Sequence, residues 1–159
     1  MQKITPCLWF DNEAEDAAKF YTAIFKNSRI GRIARYGKEG KEIHGRPEGS
    51  VLTVEFDLNG QTFTALNGGP AFHFTEAISF VVHCETQKEV DHYWDRLLAG
   101  GAPSQCGWLK DRYGVSWQIV PDVLPELLGH PDPRTAKRVA EAMMKMVKLD
   151  IEALKKAAA

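Results

Sequence analysis

Apolar positions along the chain alternate between a spacing typical of strands and a spacing typical of helices. Residues 4–10 are mostly apolar and aromatic and predict a strand, and residues 14–25 carry apolar side chains at helical spacing. A weak alternation at 29–36 indicates a further strand. The runs 51–58 and 62–66 flank Asn59-Gly60, a dipeptide typical of a two-residue hairpin turn. The pattern therefore predicts a strand, a helix and three strands up to about residue 70.

The second half of the chain repeats this order. Residues 77–84 predict a strand, and Thr86 with Glu89 has the spacing of a capping box at the start of a helix. Gly100-Gly101 ends that helix, and strands are predicted at 105–110 and 115–120 around a turn at 111–114. Thr5 aligns with Ser79 in this arrangement, so we interpret the two halves as a weak internal duplication.

Two such modules predict an α+β fold made of paired βαβββ units. Modules at about 1–70 and 77–121 are each too small for a stable core, so we expect them to bury their sheet faces together as one domain, 1–121. Residues 122–159 form a C-terminal helical extension, with a long helix predicted at 134–158. Its apolar stripe packs either on its own sheets or on a second subunit; the stripe consists of Val139, Met143, Met146, Val147 and Leu154.

Composition excludes several classes of function. The 159 residues carry a formal net charge of −1, which argues against electrostatic binding to nucleic acid or anionic membranes. No apolar run is long enough to cross a bilayer, and the first residues lack the pattern of a secretory signal. Cys7, Cys84 and Cys106 are far apart and form no CxxC motif, which favours a reduced, cytoplasmic protein.

Several strings along nearly the whole chain resemble one known family. The order of elements resembles the vicinal oxygen chelate superfamily, which includes glyoxalase I and the bleomycin-resistance proteins. More narrowly, the chain resembles its PhnB-like branch, whose domain is named "3-demethylubiquinone-9 3-methyltransferase". The matching strings are ITPCLWFD (4–11), EAEDAAKFY (13–21), LNGGP (66–70), AISF (77–80), CGWLKD (106–111), GVSWQIVP (114–121) and AMMKMVKLDI (142–151).

The resemblance also implies where a metal would bind. Metal-using members of the superfamily take one ligand from the first and last strand of each module, usually His or Glu. These positions fall here on Thr5, Asn67, Ser79 and Gln118. Because neutral hydroxyls and amides bind divalent ions weakly, we predict no conventional metal site and no cofactor. No glycine-rich turn of the GxGxG type follows a strand, so methyltransferase activity is not expected.

The resemblance further implies a cavity between the two sheets that binds a small molecule. Its candidate lining consists of Thr5, Cys7, Trp9, Asn67, Ser79 and Gln118, with Trp108 and Trp117 as flat walls. The alternative is that these aromatic residues are simply core. No catalytic residue is assigned, and the alternative function is an enzyme (a lyase, isomerase or dioxygenase-like protein) that uses pocket polar groups or a weakly held divalent metal. The family's habit of building its cavity across subunits predicts a homodimer.

A charged turn, Lys110-Asp111-Arg112, lies beside the last predicted hairpin. We interpret it as a solvated turn. The alternative is that Lys110 polarises an oxyanion in the pocket.

Overall fold

The computed structural model describes residues 2–159, which form two compact units that divide between Phe74 and Thr75. The elements of the first unit are β1 (Cys7–Phe10), α1 (Ala14–Ile24), β2 (Arg29–Arg35), α2 (Lys41–His44), β3 (Val51–Leu58) and β4 (Gln61–Asn67). Those of the second unit are β5 (Phe80–Cys84), α3 (Gln87–Leu98), β6 (Ala102–Pro103), β7 (Trp108–Lys110), β8 (Ser116–Pro121), α4 (Val123–Leu128), α5 (Pro133–Met144) and α6 (Ile151–Ala158).

Each unit contains a four-stranded mixed sheet, and the two sheets share one topology. Their strand orders are β1-β4-β3-β2 and β5-β8-β7-β6. In both sheets the first strand pairs in parallel with the last, and the remaining pairs are antiparallel. The predicted α+β class with a repeated βαβββ order is confirmed.

Local sequence signals explain the elements that frame both sheets. Asn59 and Gly60 join β3 to β4 with φ angles of 48° and 89°, the left-handed conformation that a type I′ hairpin turn requires. The Thr86 hydroxyl accepts a hydrogen bond from the Glu89 backbone N–H at 3.2 Å and caps α3. Helices α1 and α3 each cover one face of their own sheet, and the buried face of α1 is rich in alanine and includes Tyr21.

The prediction of one long helix at 134–158 is wrong, because α5 ends at Met144 and α6 begins only at Ile151. The carbonyl oxygens of Met146 and Val147 accept hydrogen bonds from the backbone N–H groups of Cys106 and Gly107, both at 2.8 Å. These two bonds tie the connection between α5 and α6 to the segment before β7. The Asp150 carboxylate then caps α6 by accepting from the Ala153 N–H at 2.9 Å.

The extension packs against the second unit's own sheet. Its buried cluster consists of Leu124, Val139, Leu149 and Leu154, with Val120 of β8 packed against it. Most of the predicted apolar stripe is therefore covered within the chain, whereas Val147 of the stripe stays exposed, as does Met144, which the stripe did not include.

Several strand boundaries also differ from the prediction, since the strands expected at 4–10 and 77–84 begin only at Cys7 and Phe80. The strand expected at 105–110 begins only at Trp108, because Cys106 and Gly107 adopt left-handed φ angles of 58° and 87°. Ala102–Pro103 forms an edge strand that the pattern does not indicate. Within residues 2–159, no helix is both long and apolar enough to span a bilayer.

Candidate functional site

The second sheet has one face packed against α3 and an opposite face that we call face 2. Along β8, Trp117 and Ile119 are buried on the helix side, whereas Gln118 and Val120 alternate with them and are half-buried. Face 2 consists of Val81 and His83 on β5, Trp108 and Lys110 on β7, and Ser116, Gln118 and Val120 on β8.

Two predicted pocket residues, Ser79 and Gln118, meet at this face. The Gln118 Nε2 group donates a hydrogen bond to the Ser79 Oγ at 2.9 Å, although the residues are far apart in the chain. Ser79 lies immediately before β5, and Gln118 pairs with Val81 on one side and with Trp108 on the other. In either orientation of the amide, the pair keeps at least one donor and at least one acceptor for another molecule. Half-buried Trp108, another predicted pocket residue, lies directly opposite Gln118 and supplies an aromatic surface beside the pair.

Face 2 carries two further polar groups: Lys110, which the sequence analysis gave only as an alternative, and Ser116, which the predicted site omits. The two residues are directly opposite each other on β7 and β8, so their side chains share this face. The Lys110 ammonium forms an ion pair with Glu76, and hydrogen bonding from Lys110 lowers the pKa of the Glu76 carboxyl. The Ser116 hydroxyl is buried and has no hydrogen-bond partner among the described residues. Because Ser116 lies two residues before Gln118 on one strand, the sequence could have placed both residues on the same face.

Trp117 does not line face 2, which corrects its predicted role as a pocket wall. Its ring is buried on the α3 side beside Phe80, at 5.4 Å between ring centroids. Its indole Nε1–H donates to the Asp111 carboxylate at 2.9 Å. Adjacent residues on a strand point to opposite faces, so Trp117 and Gln118 could not share a wall.

Asp111 is buried, which corrects its interpretation as part of a solvated turn. Its Oδ1 atom accepts the backbone N–H groups of Tyr113 and Val115, at 2.8 and 3.1 Å, while Oδ2 accepts the Trp117 indole. The carboxylate thus organises the turn between β7 and β8 and fixes the start of the strand that carries Gln118.

In the first sheet, Cys7 and Trp9 lie on the face opposite α1, which we call face 1, while Leu8 and Phe10 are buried against the helix. The Trp9 indole donates to the Gly69 carbonyl at 2.9 Å and its ring meets Phe72 edge to face at 4.8 Å. Partial burial raises the pKa of the Cys7 thiol, so its thiolate is disfavoured. Face 1 therefore presents a fixed aromatic ring and a weakly activated thiol.

Asn67 lies on the α1 side of the first sheet, which contradicts its predicted place beside Cys7 and Trp9. Its Oδ1 atom accepts the Ala14 N–H at 2.8 Å, and its Nδ2 group donates to the Val51 carbonyl at 3.1 Å. The amide thus holds the start of α1.

Strand register identifies the first-unit counterpart of Gln118. Gln118 pairs with Val81 in parallel, and Cys7, the counterpart of Val81, pairs with Thr64. The sequence reasoning therefore missed Thr64.

Thr5 is exposed and precedes β1, so it falls outside the strand on which it was predicted. Its backbone is not held in the ladder that positions Cys7 and Trp9. Thr5 was grouped with Cys7 and Trp9 only because the three residues are spaced two apart along the chain.

Asn67 also forms part of the wall of a separate cavity of about 340 Å³ in the first unit. Arg46, at its rim, donates to the Asp11 carbonyl oxygen and is therefore already engaged. The lining consists of Asn12, Glu15, Asp16, Arg46, Pro47, Ser50, Val51 and Asn67.

The donor chemistry of both faces does not fit a catalytic divalent metal. No group of three or more His, Cys, Asp or Glu side chains in residues 2–159 is placed to hold an ion. On face 2 the predicted ligand positions carry the Ser79 hydroxyl and the Gln118 amide, which form a hydrogen bond with each other. His83 shares the face but is a single imidazole.

Comparison with known proteins decides the family. A family model described as 3-demethylubiquinone-9 3-methyltransferase matches residues 2–120. The chain belongs to this family. None of the curated proteins compared with it matches. A PhnB protein from Bacillus cereus that carries the same family name is 39% identical, with a TM-score of 0.67, over 76% of this chain and 99% of the relative.

More distant solved structures share the fold of this PhnB-like chain. A Pseudomonas aeruginosa protein is 15% identical with a TM-score of 0.61, over 76% of this chain and 98% of its own. The fosfomycin resistance protein FosX of Listeria monocytogenes is 14% identical with a TM-score of 0.52, over 79% and 97%. These likenesses show a shared fold, which in this chain has the repeated βαβββ order that the sequence predicted.

The two glycine pairs of this PhnB-like chain serve packing rather than a phosphate or cofactor turn. A Cβ atom on Gly68 would collide with the Trp9 ring, and one on Gly101 would collide with the Lys110 carbonyl oxygen. Each pair thus allows a close approach within its own unit.

Proposed function

We propose that this PhnB-like protein binds a small molecule on face 2, through the Ser79–Gln118 pair and the ring of Trp108. The hydrogen bond between the Gln118 amide and the Ser79 hydroxyl carries the proposal. It fixes two polar groups on a partly accessible sheet surface and leaves each with further hydrogen-bonding capacity. Half-buried Trp108 and exposed Val81 flank the pair and offer apolar area to the same ligand.

The supporting groups favour binding through hydrogen bonds and aromatic contact. A fixed donor–acceptor pair recognises a complementary polar edge, and a flat ring beside it favours a planar ligand. The name of the family does not guide the ligand class, because one glycine of each pair, Gly68 and Gly101, serves a close packing contact.

A thermal-shift screen of a small-molecule library against the whole chain tests the proposal. Ligands that bind the native state raise the melting temperature by mass action. The expected hits lose most of their shift in Gln118→Ala and keep it in Gln105→Ala, which removes the same amide from an exposed position. Hits that respond equally to both substitutions, or a library without hits, would refute binding at this face.

We also propose that the protein is a homodimer. Exposed Met144 and Val147 in the extension are the apolar surface that supports this proposal. Sedimentation equilibrium should give a mass near twice 17.8 kDa. A monomer mass that does not change with concentration would refute the dimer.

We also propose a reducing, cytoplasmic location, because the cysteines are free thiols. Cys7, Cys84 and Cys106 are all free thiols, and Cys7 is exposed. Detection of the native protein in an oxidised, membrane-enclosed fraction would contradict this location.

A further inference from the structure

We propose that face 2 is selective for an anionic ligand, whose carboxylate or similar oxyanion binds Lys110 and Ser116, and that Glu76 occupies this position until the ligand replaces it. This inference rests on the proposed function and specifies the chemical class of the ligand. It also assigns a competing role to a residue of the chain itself.

The strand register places the anion-binding groups next to the proposed ligand site. Lys110 is opposite Ser116, and two residues along the same strands Trp108 is opposite Gln118. Side chains at directly opposite positions lie on one face, and the next pair on that face is one pleat away. A ligand whose ring contacts Trp108 can therefore place an attached carboxylate at Lys110 and Ser116.

The Ser116 hydroxyl is an unused donor in a buried place. Ser116 is 1% exposed, and its Oγ atom has no hydrogen-bond partner among residues 2–159. Buried polar groups are nearly always paired, since an unpaired one is destabilising. An oxyanion at this point would accept the hydroxyl proton in a charge-assisted hydrogen bond, which is stronger than one between neutral groups.

Lys110 supplies the positive charge that the neutral groups of the face lack. Its ammonium has three donor hydrogens, of which the Glu76 carboxylate accepts one. The remaining donors can bind a second oxyanion beside Glu76 or in its place. A single fixed cation suits a monovalent carboxylate better than it suits a neutral ligand.

Glu76 already presents a carboxylate to Lys110 from the turn before β5. Its side chain is 61% exposed, and that of Lys110 is 41% exposed. Ion pairs that are this accessible change an equilibrium by about fivefold at most, because water and salt screen them. A ligand carboxylate that also gains the Ser116 hydroxyl and the Trp108 ring can therefore displace Glu76.

The test compares benzoate with benzamide, which share shape and ring and differ in charge. Both are titrated into the full chain and followed by ¹H–¹⁵N NMR at the Trp108 indole and the Gln118 amide. We expect benzoate to bind about tenfold more tightly than benzamide, the difference that one charge-assisted contact provides. Added salt should reduce the benzoate affinity only.

Two substitutions separate the roles of the charged residues. Glu76→Gln should tighten benzoate binding by up to about fivefold and leave benzamide unchanged, whereas Lys110→Met should remove the preference for benzoate. Glu126→Gln and Lys137→Met make the same charge changes at exposed positions of the second unit and should alter neither affinity.

The outcomes distinguish this inference from the function on which it rests. Equal binding of the two probes, or a benzoate affinity that Lys110→Met leaves unchanged, overturns the anion selectivity while small-molecule binding stands. Unchanged or weaker benzoate binding in Glu76→Gln overturns the competing role of Glu76. Failure of both probes to shift Trp108 or Gln118 overturns the inference, whereas the proposed function falls only if the library screen fails as well.

Discussion

Replacing the buried Asp111 carboxylate should destabilise the turn that carries the candidate site. Asp111→Asn keeps one oxygen for the Tyr113 and Val115 N–H groups but turns an NH₂ toward the Trp117 indole N–H. Two donors then face each other in a buried place. An unsatisfied buried group costs about 1–3 kcal/mol, so we expect the free energy of unfolding to fall by about 2 kcal/mol.

A double-mutant cycle in urea, followed by circular dichroism, measures this contact directly. In a Trp117→Phe background the opposing indole N–H is absent, so Asp111→Asn should cost at least about 1 kcal/mol less than in the native background. Asp95→Asn, on the exposed side of α3, should change stability by less than about 0.5 kcal/mol. Equal costs of Asp111→Asn in both backgrounds would refute the assigned role of the Trp117 hydrogen bond.

Three further predictions concern packing and charge. Gly68→Ala should displace the Trp9 ring and so change near-ultraviolet circular dichroism with little loss of secondary structure; an unchanged aromatic signal would contradict the collision. Leu149→Ala should lower the free energy of unfolding by about 2–5 kcal/mol in urea, because the side chain is fully buried, and a loss below about 1 kcal/mol would contradict that packing. Hydrogen bonding from Lys148 lowers the pKa of Asp91, so this pair contributes stability above the ordinary aspartate pKa of 3.8 that is lost as pH falls through the lower folded value. Lys148→Met should therefore cost less than about 1 kcal/mol at neutral pH, since the pair is more than one-third exposed, and the difference should vanish in acid; a difference that persists there would refute it.

The fold could be predicted because its signals are local. Asn59 and Gly60 define their hairpin by conformational preference alone, and Thr86 caps α3 within one turn. The break between α5 and α6 could not be predicted in the same way, because it depends on the amides of Cys106 and Gly107, which are distant in the chain.

The candidate site could be predicted only in part, because faces depend on strand register. Ser79 and Gln118 lie together because the first and last strands of the module pair in parallel. Asn67 was placed on the wrong face because the resemblance gave only a position near the end of the last strand, whereas the pairing register decides which face the residue takes. The register identifies Thr64 instead. The burial of Asp111 was beyond a sequence argument, because a charged turn gives no local sign of the backbone groups that enclose it.

The extension is hydrogen-bonded to Cys106 and Gly107, so the folding unit continues beyond the part of the chain that matches the family. The family model ends at residue 120, and the Bacillus cereus relative is covered almost completely by three-quarters of this chain. Yet Leu149 fills the space beside Gly107, and Gln87 of α3 binds both the Leu149 carbonyl and the Ile151 N–H. A chain cut at the family boundary would leave the backbone amides of Cys106 and Gly107, just before β7, and an apolar surface in contact with water. Folding studies of this protein should therefore treat the last 38 residues, 122–159, as part of the second unit's core rather than as a removable tail.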